Sequence, residues 1–249
     1  MPRPPIHPGS WHRTRADFQR RIRSPKAREI GLAFCDAMIA WQQTGGPTPS
    51  LDLLSAAIDS GSSPVSHNAA HQLGAILPHH APRSDAFNLA ADIWRRTRAL
   101  GRSRMAWEAD SICAAMTRAQ AVQFRKLGLH DRSKRVRGDA AYVAAKCGLR
   151  ELLPELLTMT SADPDPNVRH HSEISFHLLD RGYLIKPFAY DAANYDEITV
   201  LCTNRDATLG TLRMTVFVKR SVVESLGIDE VVAQLRRHEA DLSPLPWDE

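Results

Sequence analysis

The chain has 249 residues, 43% of them hydrophobic and 24% charged, with a net charge of +4. That length suits one large domain or two small ones with a sizeable core. No apolar run reaches the roughly 18 residues of a membrane-spanning helix. Four scattered cysteines without a CxxC pair (Cys35, Cys113, Cys147, Cys202) argue against a disulfide framework and read as buried thiols of a reducing compartment. Few aromatics and much alanine favour helices packed through small residues over a β-rich fold.

Taken in chain order, the first ten residues are proline-rich and read as extended. Residues 1–15 contain three arginines but no apolar segment, unlike a secretory signal. Trp11 to Arg23 reads as a short basic helix. Ser24 caps a helix that starts at Pro25, carries an apolar stripe of Ile30, Phe34, Ala37, Met38 and Trp41, and stops at Gly45-Gly46-Pro47. Short helices follow over Ser50–Asp59, Pro64–Leu77, Ser84–Leu100, Ser103–Met116, Arg118–Leu127, Ser133–Cys147, Leu149–Thr160 and Asn167–Asp180. Most are separated by Gly or Pro, Gly101 among them. After Leu184-Ile185-Lys186-Pro187 the period changes to two. Asp196–Thr203 and Thr211–Lys219 read as a β-hairpin joined through Asn204–Gly210, and two helices, Ser221–Leu226 and Ile228–Ala240, close the chain before the SPLPWDE tail.

One pattern recurs along the helical part. The segments beginning Pro64-Val65, Arg104-Met105, Arg135-Val136 and Asn167-Val168 align without gaps. In each, a large apolar residue (Val65, Met105, Val136, Val168) is followed four positions on by a small one (Ala69, Ala109, Ala140, Ser172). A small residue there admits a neighbouring helix. Spacings of 31 to 40 residues belong to stacked helical hairpins. In Asp163-Pro164-Asp165-Pro166-Asn167-Val168-Arg169 and Lys134-Arg135-Val136-Arg137-Gly138-Asp139-Ala140-Ala141 the chain resembles the HEAT-repeat family, including its short bacterial variants. The resemblance is strongest over residues 131–183. It implies an α-solenoid that holds another macromolecule, and it implies that Arg137 and Arg169 pair with an acidic residue such as Asp131 or Asp163, or with a helix C-terminus. The expected fold is therefore mainly α: a flexible basic segment over 1–24, a HEAT-like α-solenoid over 25–185, and a small α+β module over 186–249. That last module is similar only in layout to small bacterial strand–strand–helix domains of unknown role.

Charge is distributed unevenly. Residues 36–82 hold no Lys or Arg against three Asp, whereas residues 83–150 hold 15 Lys/Arg against 6 Asp/Glu. Within the basic stretch, Arg95, Arg96, Arg98, Arg102 and Arg104 form one cluster and Arg125, Lys126, Lys134 and Arg135 another. Both fall near helix ends, where loops of stacked hairpins align. Such an edge suits a phosphate backbone, since each neutralised phosphate releases counterions; it equally suits a solvated face, because arginine is favourable at helix C-termini. Trp94 and Trp107 beside the first cluster read as core residues or as stacking platforms for bases.

Motifs of catalysis are missing. Asp163, Asp165 and Asn167 spell the start of a calcium loop, but Val168 and Ile174 stand where glycine and glutamate are needed, so the aspartates read as helix caps. His79-His80, His170-His171 and His177 lack metal-ligand spacing. There is no HExxH, GxxxxGK[ST] or GxSxG. The sequence thus reads as a cytoplasmic, non-catalytic scaffold without cofactor or metal, whose partner is another protein. Nucleic acid is the alternative, at the extreme in an enzyme similar to the HEAT-like alkylpurine DNA glycosylases. No catalytic residue of that family aligns here.

Overall fold

The computed structural model describes residues 25–203 and 211–241. The basic helix expected over Trp11–Arg23, the hairpin loop Asn204–Gly210 and the last residues of the tail lie outside them. Among the described residues the chain is mainly helical, with one three-stranded antiparallel sheet. No described helix is long and apolar enough to cross a membrane. The chain divides into two compact units, Met1–Ala140 and Ala141–Glu249.

The first unit begins with α1 (Pro25–Thr44), α2 (Leu51–Ile58), α3 (Ser63–His80) and α4 (Ala86–Arg96). It continues with α5 (Ala99–Trp107), α6 (Ala109–Cys113), α7 (Arg118–Leu129) and the start of α8 (Lys134–Val143). Its core is built from fully buried Phe34, Leu54, Ile58, Leu73, Ile93, Met105, Ile112 and Phe124. Trp94 is buried too and meets Phe124 edge to face at 5.6 Å, a geometry aromatic rings prefer. Ser50 caps α2 by accepting from the Leu53 amide. Thr117 and Gln120 form a reciprocal capping box on α7.

Helix boundaries depart from the expectation in the middle of this unit. The break falls at Thr97–Arg98 rather than at Gly101, which is buried inside α5. Asp59, 39 residues upstream, accepts from the Arg98 amide at 2.9 Å, and Thr97 Oγ1 donates back to the Ile93 carbonyl at 2.6 Å. These bonds offer the backbone an alternative to continuing the helix. Gly101 serves close approach: a Cβ there would strike the Thr97 methyl and sit 3.1 Å from the Ile58 carbonyl. The helix expected over Ser103–Met116 is likewise interrupted, at Glu108.

Packing bears out the small-residue positions. Val65, Met105, Val136 and Val168 are all buried, and so are Ala69, Ala109, Ala140 and Ser172. Ala140 lies against Gly128 of α7, where an added Cβ would come within 2.7 Å of the alanine methyl.

The second unit carries α9 (Leu153–Ala162), α10 (Pro166–Arg181), β1 (Tyr183–Pro187), β2 (Tyr195–Thr203), β3 (Thr211–Lys219), α11 (Arg220–Leu226) and α12 (Ile228–Asp241). The expected hairpin is present as β2–β3, and β1 adds a third strand in the order β1-β2-β3. Gly182, at φ +83°, turns the chain from α10 directly into β1. Ile185, Ile198 and Val216 share one register line. Ile198, Val200, Cys202 and Val218 form a core with Val231, Val232 and Leu235 of α12. The period-two pattern therefore buries one sheet face against an amphipathic helix.

Candidate functional site

Arg137 and Arg169 occupy equivalent turns with the same bonds. Arg137 Nη1 donates to the carbonyls of Asp131 (2.9 Å) and Arg132 (3.2 Å); Arg169 Nη1 donates to those of Asp163 (2.8 Å) and Pro164 (3.3 Å). In each turn the aspartate accepts from the amide two residues on, Ser133 or Asp165, at 2.8 and 2.9 Å. Asp165 also caps α10 through the amides of Asn167 and Val168. These groups close backbone turns, as expected for structural residues.

The nine basic residues of the expected edge, all in the first unit, separate into two kinds. Arg95 and Arg96 lie near Asp92 (3.9 and 2.8 Å), and Arg96 also reaches Asp52 at 3.3 Å. Arg98 bonds Asp59 at 2.8 Å. Arg102 is buried and forms a bidentate pair with buried Asp131 at 2.7 and 3.1 Å, while its Nη1 donates to the Thr97 carbonyl at 2.6 Å. Arg125 is buried and paired with Asp110. Lys134 is exposed and Lys126 half-buried. Arg104 and Arg135 have no carboxylate partner among the described residues. Arg104 makes one hydrogen bond, from Nη2 to Ser63 Oγ at 3.0 Å, and its Nε is buried without a partner.

The sequence gives a reason. Arg104 and Arg135 are each followed four residues on by a carboxylate, Glu108 and Asp139, the weaker orientation for a helical ion pair. Both carboxylates turn elsewhere. Asp139 accepts from the Ser103 hydroxyl. Glu108, at the break between α5 and α6, takes two histidines of α3: His67 Nδ1 at 3.4 Å and His71 Nδ1 at 3.0 Å. Ser111 Oγ meets the same His71 nitrogen at 3.0 Å.

Electrostatics follow from this packing. Burial lowers the Arg104 pKa from its ordinary value, and Arg135 lowers it further; Asp139 and Glu108 act the other way. Burial and then Arg104 lower the His67 pKa against the pull of Glu108. Glu108 is held below the usual carboxylate range: burial opposes its ionisation, but the bonds and charges of His71 and His67 outweigh that.

Ser111, His71 and Glu108 bring the residue types of a hydrolytic triad together. Serine and carboxylate share one imidazole nitrogen, however, whereas proton relay needs one on each. No group of three or more His, Cys, Asp or Glu among the described residues is arranged to hold a metal ion. His79 instead packs edge to face on Trp41 at 5.2 Å, and His80 Nε2 lies 2.8 Å from the Pro49 carbonyl. Trp94 is core, while Trp107 is 38% exposed, one helical turn beyond Arg104. In the second unit a cleft of about 350 Å³ between α10 and β1 is lined by His170, Glu173, His177, Arg181 and Lys186 among others.

His67, His71 and Glu108 were not singled out by sequence. The i, i+4 spacing of the histidines on one helix face was their only signal, and the acceptor lies 37 residues beyond His71. Together these features define a mainly helical protein with a small antiparallel sheet and a mixed-charge helix face. No family model, curated protein or solved structure matches the chain.

Proposed function

We propose that this chain is a non-catalytic scaffold, a HEAT-like helical-repeat protein of the cytoplasm that binds another protein. The observation that supports it most is the internal neutralisation of the basic edge. Arg96, Arg98, Arg102 and Arg125 already satisfy carboxylates of the same chain, so a polyphosphate would have to compete with built-in partners. The burial of the four aligned apolar and four aligned small positions supports the repeat reading. A repeat surface of mixed charge suits the polar rim and selective contacts of a protein interface. Nucleic acid remains the rival through Arg104 and Arg135, which make no ion pair among the described residues.

Crosslinked capture from the native cell, with and without nuclease, separates the two. The scaffold reading expects a defined protein partner whose recovery is unchanged by nuclease. Recovery of nucleic acid alone, or of proteins that all vanish with nuclease, would overturn it.

A further inference from the structure

In the second unit β1 is an edge strand: β2 pairs one side of it, and no described strand pairs the other. Two bonds fix which of its groups point outward. Gly182 accepts from the Leu201 amide and Phe188 donates to the Tyr195 carbonyl, each at 3.0 Å. Antiparallel ladders alternate bonded and non-bonded pairs, so Leu184 and Lys186 also turn their amides to β2, while Tyr183, Ile185 and Pro187 face away. Proline has no N–H to pair, which suits an outer edge. The cleft of about 350 Å³ follows this edge. Residues 183–186 all line it, so it runs along the strand rather than over one face of the sheet. α10 supplies the opposite wall through His170, Glu173, His177 and Arg181. From His170 to Arg181 that wall is about 16 Å long, the reach of about five extended residues.

The two ends of the cleft differ. Around Gly182, three guanidiniums meet one described carboxylate. Asp180 lies 3.2 Å from Arg150 and 3.8 Å from Arg181, and Arg236 Nη2 donates to the Gly182 carbonyl at 3.2 Å. At the other end Lys186 holds Glu197 at 3.1 Å. Just beyond Pro187 the ring of Phe188 lies 5.5 Å from Tyr190 and 4.4 Å from Phe217. Tyr190 is 91% exposed and Phe217 55%. A cluster of exposed rings and an unpaired strand edge are each marks of an interaction surface.

We propose that an extended segment of the partner protein enters this cleft and pairs antiparallel with β1 as a fourth strand, with an aromatic residue on the Phe188–Tyr190–Phe217 cluster and an acidic residue beside Arg181. The inference rests on the protein-scaffold reading and names the segment that is recognised. Main-chain bonds to Tyr183 and Ile185 attach any extended chain, and the two ends of the cleft choose its side chains. An antiparallel segment runs from the Pro187 end to the Tyr183 end, so its aromatic residue precedes its acidic one. Guanidiniums in excess of carboxylates favour the acid at the Gly182 end, and exposed rings offer an anchor at the other. A row of phosphates is disfavoured, because Glu173 stands in the wall and Lys186 already belongs to Glu197.

The test is a titration of the full-length protein with a terminally blocked Phe-Ser-Val-Thr-Val-Glu-Ser peptide, followed by NMR shifts and amide hydrogen exchange. A peptide with Pro in place of Thr and a short single strand of thymidine DNA form parallel arms. Saturable shifts along β1 and α10 are expected with the first peptide. Exchange should slow at the outward Ile185 amide and stay as it was at Leu184 and Lys186, which already face β2. The Pro peptide, which lacks the N–H opposite Ile185, should bind at least fivefold more weakly. Arg181→Gln and Tyr190→Ser, both at exposed positions whose change leaves folding intact, should each weaken the first peptide at least fivefold. The inference is overturned if no saturable shift appears, if the Ile185 amide is not selectively protected, if both variants bind as the wild type does, or if the DNA binds there more tightly than the peptide. Those results leave the scaffold reading standing when native capture still yields a nuclease-resistant protein. Capture of nucleic acid alone overturns the scaffold reading whatever the peptide does.

Discussion

Arg102 and Asp131 bury two opposite charges against each other, their side chains 8% and 6% exposed. Asp131 also accepts the Ser133 amide, and its carbonyl accepts from Arg137, so one residue ties α5 to the turn before α8. Removing it strands a buried guanidinium. Asp131→Ala is expected to cost about 3–5 kcal/mol, read as a fall in the urea midpoint at unchanged slope; an effect under about 1 kcal/mol would show that the pair is solvated. His67 and Glu108 set a pH dependence of the same region. His67 has a folded pKa below 6.5, so the unfolded chain binds its proton more readily, and stability falls as pH drops from about 6.5 towards the folded value. Glu108, lowered from 4.5, stabilises the fold above that value and ceases to as pH falls through its folded pKa. Both slopes have the same sign in separate windows. Between pH 7.5 and 5.5 the wild type should therefore lose more stability than His67→Gln, and below pH 4.5 it should again lose more, because His67 contributes to the lowering of the Glu108 pKa. Urea unfolding at these pH values gives the comparison.

At the scale of elements, close backbone approach decides which helices meet. A Cβ on Gly74 of α3 would fall on the Ser111 carbonyl of α6. The contact is backbone to backbone, so no side-chain rotation relieves it. Gly74→Ala should force α3 and α6 apart, with loss of stability of about 1–3 kcal/mol or more and disturbance of the His71–Ser111 bond beside it. A milder overpacking is expected at Ala140→Leu against Gly128, about 1–3 kcal/mol; an unchanged urea midpoint there would mean that the α7–α8 contact is loose. The alanine position was legible in the sequence, because an apolar residue followed four later by a small one is a local pattern. The paired turns of Arg137 and Arg169 were legible for the same reason. The break at Thr97–Arg98 was not: its cause, Asp59, stands 39 residues away, and no local propensity reports it. Nor was β1, whose five residues read only as the place where the helical period ends. Gly182 sets it beside β2, and pairing with β2 makes it a strand.

Over the whole molecule, the segregation of charge along the chain is partly undone in space. Residues 36–82 hold acids and no Lys or Arg, and two of those acids, Asp52 and Asp59, turn to Arg96 and Arg98 of the basic stretch. Asp110 and Asp131, inside that stretch, take Arg125 and Arg102. A linear count of charge thus exaggerates the field that a ligand meets. The consequence for nucleic acid is quantitative. Nine phosphate contacts would give a log-log salt slope of about −8 on duplex DNA, and two, from Arg104 and Arg135, about −1.8, at −0.9 per phosphate. Fluorescence anisotropy with a labelled duplex and a labelled single strand is expected to show a slope no steeper than the second value and a Kd of about 10 µM or weaker at physiological salt, within the non-specific range. Arg104→Gln with Arg135→Gln should make the slope shallower by up to about 2 units, and equally so for every sequence, as loss of phosphate contacts requires. Arg98→Ala should change it little, because its guanidinium already belongs to Asp59. Sub-micromolar binding at physiological salt with a slope near −8 would mean that the arginines leave their carboxylates for phosphate, and would move this protein from the protein-binding class to the nucleic-acid-binding one.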